Sequence, residues 1–492
     1  MYVGRKSDKG IVPGKPRTKK ASLLEERVEE RPLTERNIRQ PTTRRTQCRG
    51  SVSLGLANVR KLASGNKTVQ FNALLHHITV EQLELSYSLL KRNATPGVDG
   101  LTWQHYGDDV IDNLVQLHKK IHAGKYKALP SKRCYIPKAD GTQRGLGIAA
   151  LEDKIVQHAL LTVLTAIYEA DFLGFSYGFR PKVGAHDALD AVAVGMKVKK
   201  VNWVLDADIQ GFFDNMDHEW LQKFLRHRIA DKRVLRLITK WLKAGVIEAG
   251  KWQASVKGCP QGAIISPLLA NIYLHYVLDL WVQSYRKNRV KGDVLIVRYA
   301  DDFIVGFQHK SEANEFLYHL KKRLNKFSLK LHEQKTKLIR FGRFAKQRRK
   351  AVGEGKPETF EFLGFTHICA ETHIKQKFVV KRQTSKKRMR KKLQAIKLEL
   401  MKRRHAPVGQ TGEWLNRVLR GYFNYHAVPG NMRVLSNFKR DVNRYWLRSL
   451  RRRSQRNRMT WDKFTKLEKL YIPALRRVHD YPHRRFAAKY SK

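Results

Sequence analysis

The stretch Tyr299-Ala300-Asp301-Asp302 places two adjacent carboxylates between two apolar segments. Residues 294–298 before it and 303–307 after it are rich in β-branched and aromatic side chains, which favours two strands joined by a turn. Two like charges in apolar surroundings repel each other and lose hydration, so they require a compensating cation. A divalent metal ion or a neighbouring lysine or arginine would satisfy this requirement, and a pair of solvated turn carboxylates is the plain alternative.

A second apolar segment that ends in carboxylates, residues 203–208, lies upstream and leads into a predicted helix near 217–220. If the two segments are neighbouring strands of one sheet, Asp208 and Asp301 face each other. Two divalent ions held by carboxylates stabilise the attacking and leaving oxygens of an in-line phosphoryl displacement. The two segments together therefore favour nucleotidyl transfer.

Three motifs in this order resemble those of reverse transcriptases: Asp208 with the following Phe212-Phe213, the Gly-Cys-Pro-Gln-Gly loop at 258–262, and the acidic turn at 299–302. The finer pattern resembles the group II intron-encoded branch of that family. The segments that carry this finer likeness are 94–100, 136–138 with 144–148, 176–181 and 266–273. The resemblance covers roughly residues 60–480. Each motif alone is weak, and their shared order argues against coincidence.

The resemblance implies an α+β fold of the right-hand polymerase type, in which fingers and a palm with an antiparallel sheet precede an α-helical thumb and maturase domain. The expected parts are a basic flexible N-terminal extension (1–55), fingers (56–200), a palm with the catalytic carboxylates (201–375) and a helical basic thumb and maturase domain (376–492). Apolar spacing and turn residues predict helices at 23–28, 151–168, 229–244 and 266–281 and hairpins at 134–142 and 360–365.

The charge balance indicates a polyanionic partner. The 492 residues contain 98 Lys and Arg against 43 Asp and Glu, a formal net charge of +55. Residues 381–492 hold 33 basic and 6 acidic side chains, a difference of +27, so about half of the net charge lies in less than a quarter of the chain. Such a surface binds nucleic acid by releasing counterions, although a basic RNA scaffold protein would show the same excess.

Composition also excludes several classes of protein. No run approaches 18 apolar residues and no signal peptide is evident, so we expect no membrane partner and a cytoplasmic (bacterial-type) or organellar location. The four cysteines are far apart and form no Cys-x-x-Cys pair, which fits a reducing compartment and argues against a zinc module. The histidines show no spacing typical of metal ligands.

The resemblance assigns metal ligands to the carboxylates. Asp208 and Asp301 would hold two Mg²⁺ ions with the backbone carbonyl of Ile209, and Asp302 would be a third ligand or a supporting charge. Asp206 and Asp214 lie in the same segment but are out of register with the family motif, so they serve as internal controls.

Nucleotide-binding residues follow from the same resemblance. Lys138 and Arg144 would bind the triphosphate, although Gly145 stands where the family usually has proline. Phe213 would be the steric gate that selects deoxynucleotides, with Phe212 as the neighbour that could be confused with it. The remaining candidates are Gln261 and Gly262 against the nascent base pair, Lys335 near the triphosphate as a candidate general acid, and two basic triplets for RNA, Lys386-Lys387-Arg388 and Arg451-Arg452-Arg453.

The expected function is that of an RNA-directed DNA polymerase that binds its host group II intron RNA, assists splicing and copies the intron into DNA by target-primed reverse transcription (retrohoming). Its partners would be an RNA template with a DNA primer, dNTPs and a DNA target site. A stand-alone reverse transcriptase of host defence or repair, and a non-catalytic RNA-binding splicing factor, are the alternatives. Because the sequence ends at Lys492 without the cysteine pairs of a nuclease domain, we expect no second-strand cleavage.

Overall fold

The computed structural model describes residues 55–137, 143–372, 377–454 and 459–490. Most of the N-terminal extension, the helix predicted at 23–28 and Lys138 lie outside these ranges. The helices are 55–65 (α1), Val80–Leu89 (α2), Trp103–Gly107 (α3), Val110–His122 (α4), Leu151–Tyr168 (α5), Ala185–Val198 (α6), Phe212–Asn215 (α7), His218–Arg226 (α8), Lys232–Lys243 (α9), Ser266–Leu274 (α10), Leu280–Asn288 (α11), Lys310–Lys326 (α12), Ala345–Ala351 (α13), Lys386–Lys402 (α14), Val408–His426 (α15), Met432–Arg451 (α16), Trp461–Tyr471 (α17) and Pro482–Tyr490 (α18).

The strands form three sheets. The strands are Ser131–Pro137 (β1), Gln143–Ile148 (β2), Trp203–Ala207 (β3), Val246–Glu248 (β4), Lys251–Gln253 (β5), Val294–Tyr299 (β6), Asp302–Phe307 (β7), Lys337–Arg340 (β8), Phe360–Phe362 (β9), Phe365–Glu371 (β10) and Phe378–Thr384 (β11). In the described ranges the first sheet has the order β2-β1-β4-β5, the central sheet β6-β7-β3-β8 and the third sheet β11-β10-β9. All pairs are antiparallel except β1 with β4. The fold is therefore mixed α and β.

Both faces of the central sheet are covered, because side chains alternate between faces along each strand. Leu205 and Ala207 of β3 point into a large core formed with α5 and α8 to α12, whereas Val204 points into a second core with α6 and the third sheet. Asp206 and Asp208 follow Val204 at intervals of two residues. Alternation therefore directs both carboxylates toward the same side of the sheet.

Several predicted elements are confirmed. The helix expected at 151–168 is α5, and the hairpins at 134–142 and 360–365 are β1–β2 and β9–β10. The helix expected at 266–281 is longer: α10 passes through a π-helical segment, His275–Asp279, and continues as α11 to Asn288.

The helical region expected from 376 begins later, at Lys386. Residues 378–384 instead form β11, whose β-branched Val379 and Val380 pair with Ala370 and Cys369 of β10. Helices α14 to α17 then build a core of their own. No helix of the described ranges is long and apolar enough to cross a membrane.

The C-terminal helix α18 packs against α6. Phe486 is buried there, Lys489 Nζ lies 2.8 Å from Asp187 Oδ2, and Arg485 Nε lies 3.3 Å from Asp190 Oδ2. The last part of the described chain is thus tied to a helix that covers the central sheet.

Candidate active site

The two adjacent carboxylates lie at the turn between β6 and β7, as the flanking sequences predict. Tyr299 pairs with Asp302, and Ala300 adopts a left-handed backbone conformation with φ of +58°. Gly178 approaches this turn so closely that a Cβ on it would lie 2.3 Å from the backbone nitrogen of Ala300. Only glycine fits there, which explains its place in the segment 176–181.

A fully buried ion pair fixes the shape of this turn. The Arg298 guanidinium donates through Nε to Asp279 Oδ1 at 2.7 Å and through Nη2 to Asp279 Oδ2 at 2.5 Å. Its remaining hydrogens reach the Ser176 hydroxyl at 2.6 Å, the Asn271 side-chain oxygen at 3.0 Å and the Ala300 carbonyl at 2.9 Å. One arginine therefore joins the acidic hairpin to the π-helical segment, to α10 and to the loop that carries Ser176.

Asp208 lies beside the turn because β3 is the neighbour of β7. Ala207, the last residue of β3, pairs with Phe303, so Asp208 after it lies beside Asp302 at the start of β7. The Asp208 carbonyl accepts a hydrogen bond from the His332 backbone nitrogen at 2.8 Å. Its side chain accepts one from Lys335 Nζ at 2.9 Å. A cation therefore already neutralises one of the carboxylates.

The electrostatics are those of a crowded acidic site. Burial and the Asp208 charge raise the pKa of Asp301 above its ordinary value, while Arg144 and Arg298 act in the opposite direction. The carboxyl of Asp302 is open to solvent, yet the surrounding protein and the Asp301 and Asp208 charges raise its pKa to about 6. The turn carboxylates are therefore easier to protonate than free aspartate, and cations near them lower the cost of ionising them.

Asp206 belongs to the same cluster, although its position out of register with the family motif led us to expect a control residue. Burial, followed by the Asp302 and Asp208 charges, raises the pKa of Asp206 to about 7, and Lys337 opposes this shift. The strand period of two could have revealed the relation, because residues 206 and 208 share a face of β3. Asp214 is exposed and remains a suitable control.

The chemistry of the donors fits hard divalent ions. Within the described ranges, no group of three or more His, Cys, Asp and Glu side chains is arranged as a complete metal cage. Mg²⁺ does not need one, because it commonly binds one or two carboxylates together with water and substrate phosphates. Asp208 and Asp301 suit such a partial site, and the Lys335 ammonium shows that Asp208 accepts a cation. The Ile209 carbonyl as a further ligand stays a prediction.

The Gly-Cys-Pro-Gln-Gly loop connects the first sheet to α7, the short helix that follows β3 and Asp208. The Gly147 nitrogen of β2 donates to the Gln261 carbonyl at 2.7 Å, and the Cys259 nitrogen donates to the Phe213 carbonyl at 2.7 Å. Gly262 has φ of +111°, and a Cβ there would lie 2.9 Å from the Gly147 carbonyl. The hairpin with Arg144, the loop with Gln261 and the segment after Asp208 are therefore neighbours.

The two adjacent phenylalanines have different environments. The Phe212 side chain is buried in the large core and stacks edge-on against Tyr273, whereas Phe213 is only partly buried. Core packing accounts for Phe212, which leaves Phe213 as the ring available at the surface of the site. Its role as a steric gate stays a prediction.

The family model described as reverse transcriptase (RNA-dependent DNA polymerase) matches residues 136–367, which contain the whole acidic cluster. The curated group II intron-encoded protein LtrA of Lactococcus lactis is 31% identical over 304 residues, which cover 50% of this chain and 50% of that protein. Residues 136–367 therefore carry a reverse transcriptase domain similar to that of group II intron-encoded proteins.

Two other relatives extend the comparison. Protein YkfC of Escherichia coli is 38% identical over 239 residues, which cover 43% of this chain and 63% of that protein. The putative COX1/OXI3 intron 1 protein of Saccharomyces cerevisiae is 28% identical over 317 residues, which cover 52% of this chain and 36% of that protein. The chain thus spans between about a third and two thirds of the length of these three relatives.

The two basic triplets lie near opposite ends of α14. Lys386 and Lys387 are exposed at its start, next to the third sheet, whereas Arg451–Arg453 lie near its end, since the Ser449 hydroxyl donates to the Leu400 carbonyl at 3.0 Å. A helix of 17 residues separates the triplets by about 25 Å.

Not every arginine of the triplets is free to bind RNA. Arg388 lies near the acidic cluster: a Cβ on Gly364 would lie 3.2 Å from its Nη1, and its charge lowers the pKa of Asp302 against the larger effect of burial. Arg451 Nε donates to the Met459 carbonyl at 2.8 Å, and Arg453 Nη2 donates to the Ala406 carbonyl at 2.9 Å. Within the described ranges, Arg452 is therefore the member of the second triplet whose side chain is exposed without a structural bond of this kind.

Replacing Arg298 by methionine should destabilise the protein by about 3–5 kcal/mol, because it leaves the Asp279 carboxylate buried without a partner. Urea denaturation measures this loss. The double variant Arg298→Met with Asp279→Leu should recover much of the stability but not the activity of the acidic site, because the Ala300 carbonyl stays unpaired. Equal recovery of both properties would contradict the positioning role of Arg298.

Replacing Asp206 by asparagine should stabilise the protein at pH 8 and have a clearly smaller effect at pH 5, in buffers free of divalent ions. The raised pKa means that the folded state holds more protons than the unfolded state between pH 4 and 7, so stability falls as pH rises through that window. Thermal unfolding should show a gain on the order of 1 kcal/mol at pH 8, after allowance for screening. Asp214→Asn is the matched control, and an equal shift at both pH values would contradict the account.

Proposed function

We propose that this protein is an RNA-directed DNA polymerase that binds its host group II intron RNA, assists splicing and copies the intron into DNA at a target site. The single observation that carries the proposal is the acidic cluster of Asp208, Asp301 and Asp302, which lies inside the reverse transcriptase match of a chain with net charge +55. In this reading residues 56–200 with β1 and β2 form the fingers, residues 201–375 with the central sheet form the palm, and residues 376–492 with α14 to α17 form the thumb and maturase domain. Strands β4 and β5 of the palm range complete the sheet of β1 and β2.

Asp208 and Asp301 would hold two Mg²⁺ ions, which would supply charge stabilisation to the attacking 3′ hydroxyl and the leaving pyrophosphate. Asp302 would add negative charge beside them. Lys335 is placed to release Asp208 and bind the triphosphate, since its side chain is 58% exposed and its ammonium already contacts Asp208. From there it could protonate the departing pyrophosphate.

Residues that surround the acidic cluster would bind and select the nucleotide. Arg144 acts on the charge of Asp301, so a guanidinium lies near the place where triphosphate oxygens would bind. Gln261 and Gly262 would face the nascent base pair, where the positive φ of the glycine brings the backbone close. Phe213 would exclude a ribose 2′ hydroxyl. Lys138, outside the described residues, is proposed from the motif alone.

The intron-binding part of the proposal is supported by the charge of the C-terminal region and by the names of the relatives. The difference of +27 over residues 381–492 concentrates about half of the net charge in one region, which favours a large polyanionic partner there. The separation of Arg452 from Lys386 and Lys387 provides two surfaces, one near the third sheet and one remote from it.

A stand-alone reverse transcriptase shares the acidic cluster and is the second candidate. The basic C-terminal helices favour intron binding over it. A non-catalytic splicing factor is the third, and the retention of all three carboxylates with the network around Arg298 favours an enzyme, because a buried ion pair of this kind is costly to keep.

Asp301→Asn should abolish DNA synthesis on a primed RNA template while leaving affinity for RNA unchanged. Loss of a metal ligand removes several kcal/mol of transition-state stabilisation, which corresponds to at least about a thousandfold in rate. Primer extension and filter binding measure the two properties. Asp214→Asn should retain activity. Loss of RNA binding in Asp301→Asn would mean that the cluster is not catalytic.

Arg452→Gln should weaken binding to structured intron RNA and flatten its dependence on salt by about one counterion, with little effect on a short primer–template. Lys386→Gln with Lys387→Gln should show the reverse preference, because those side chains adjoin the third sheet. Salt titrations with both RNAs measure the slopes. Equal losses on both RNAs in both variants would contradict two separate surfaces.

The intron partner can be identified by purifying the protein from its native cell and sequencing the RNA bound to it. We expect one dominant excised intron. A heterogeneous pool of RNA would instead favour the stand-alone reverse transcriptase.

A further inference from the structure

An exposed tryptophan on the edge strand of the first sheet is held in one orientation. The Trp252 indole nitrogen donates to the Ala244 carbonyl at 3.1 Å, and the ring lies against Gly245, where a Cβ would be only 2.5 Å from Nε1. Gly245 has φ of +79°, so the close approach is built into the backbone. Despite these contacts the side chain of Trp252 is 57% exposed. The ring is therefore rigid and accessible at the same time.

The register of the sheet places this ring on the same face as the candidate triphosphate ligand. Trp252 pairs with Ile247, Ile247 with Lys132, and Lys132 with Ile148, which forms one row across all four strands. Arg144 lies four residues before Ile148 on β2, and side chains that are an even number of residues apart share a face. The row therefore leads from the strand of Arg144 to the opposite edge of the sheet.

The charge of this face complements a nucleic-acid backbone. The four strands contain one acidic residue, Glu248, and alternation turns it to the other face. There its carboxylate accepts a hydrogen bond from the Tyr135 hydroxyl and lies 3.9 Å from Arg133 Nε. The face with Trp252 keeps Lys132 exposed and presents no carboxylate from these strands.

We propose that Trp252 is a stacking platform for an unpaired base of the single-stranded RNA template before that base enters the polymerase site. Three strand spacings of about 4.8 Å, or roughly 14 Å, separate β5 from β2, so the platform lies beyond the place where Arg144 would bind the triphosphate, at a distance that an unpaired template base can span. Every base has an apolar face, so stacking on a fixed indole accepts any sequence, as a polymerase requires. The inference rests on the proposed function, since only a polymerase has such a template.

The test compares binding of two RNA–DNA duplexes, one blunt and one with a single-stranded RNA template overhang of about ten nucleotides. Fluorescence anisotropy is measured for the full chain, for Trp252→Ala, for Trp252→Phe and for the control Tyr318→Ala, which removes an equally exposed ring from α12. We expect Trp252→Ala to lose about tenfold in affinity for the overhang duplex and nothing for the blunt one. Trp252→Phe and Tyr318→Ala should remain within about twofold of the unaltered protein.

A 2-aminopurine base in the overhang reports stacking directly, because its fluorescence falls when it stacks. Quenching that is strong with the unaltered protein and weak with Trp252→Ala supports the platform, and circular dichroism checks that this variant is folded. Equal losses on both duplexes, no loss on either, or a loss confined to a folded RNA stem would overturn the proposal. Failure of the unaltered protein to extend any primer would count against the polymerase, and it is distinguishable because binding is measured without dNTPs.

Discussion

The structure depends on the buried contact between Arg298 and Asp279. Neither side chain is accessible to solvent, so the pair persists only because each charge is fully bonded. Through its remaining hydrogens the guanidinium holds the Ala300 carbonyl and, with it, the left-handed turn on which Asp301 and Asp302 sit. The geometry of the acidic site is therefore decided in the core beneath the turn, by residues that would not touch a substrate.

This constraint explains how carboxylates that repel each other remain close together in the acidic cluster. Neighbouring carboxylates of the cluster raise the pKa of Asp206, Asp301 and Asp302, and a rigid turn keeps these groups together where a flexible loop would separate them. A cation that enters the cluster relieves the repulsion between these carboxylates, so the repulsion favours cation binding. The cluster is surrounded by basic side chains, namely Lys335, Lys337, Arg144 and Arg388. A polyanionic substrate that brings its own cations would therefore fit the arrangement.

The sequence predicted the elements that repeat a simple pattern. Helix α5 was predicted from apolar residues that recur every 3.6 residues, and the hairpins from apolar strands joined by turn residues. The placement of Asp208 beside Asp301 was predicted from two apolar strands that each end in a carboxylate. Motif reasoning missed the inclusion of Asp206 in the cluster and the separation of Arg388 from Lys386 and Lys387. Both depend on which face of an element a side chain occupies and on what packs against it. The partners of Arg298 could not be predicted, because Ser176, Asn271 and Asp279 come together only in the folded chain.

The most direct measurement is primer extension by the purified full chain on an RNA template annealed to a DNA primer, with all four dNTPs and Mg²⁺. The account predicts DNA that extends to the end of the template, synthesis that stops when the divalent ion is chelated, and resumption when Mg²⁺ is restored. A folded protein that binds the primed template and adds no nucleotide in Mg²⁺ would contradict the account, because its acidic cluster would then serve some purpose other than nucleotidyl transfer.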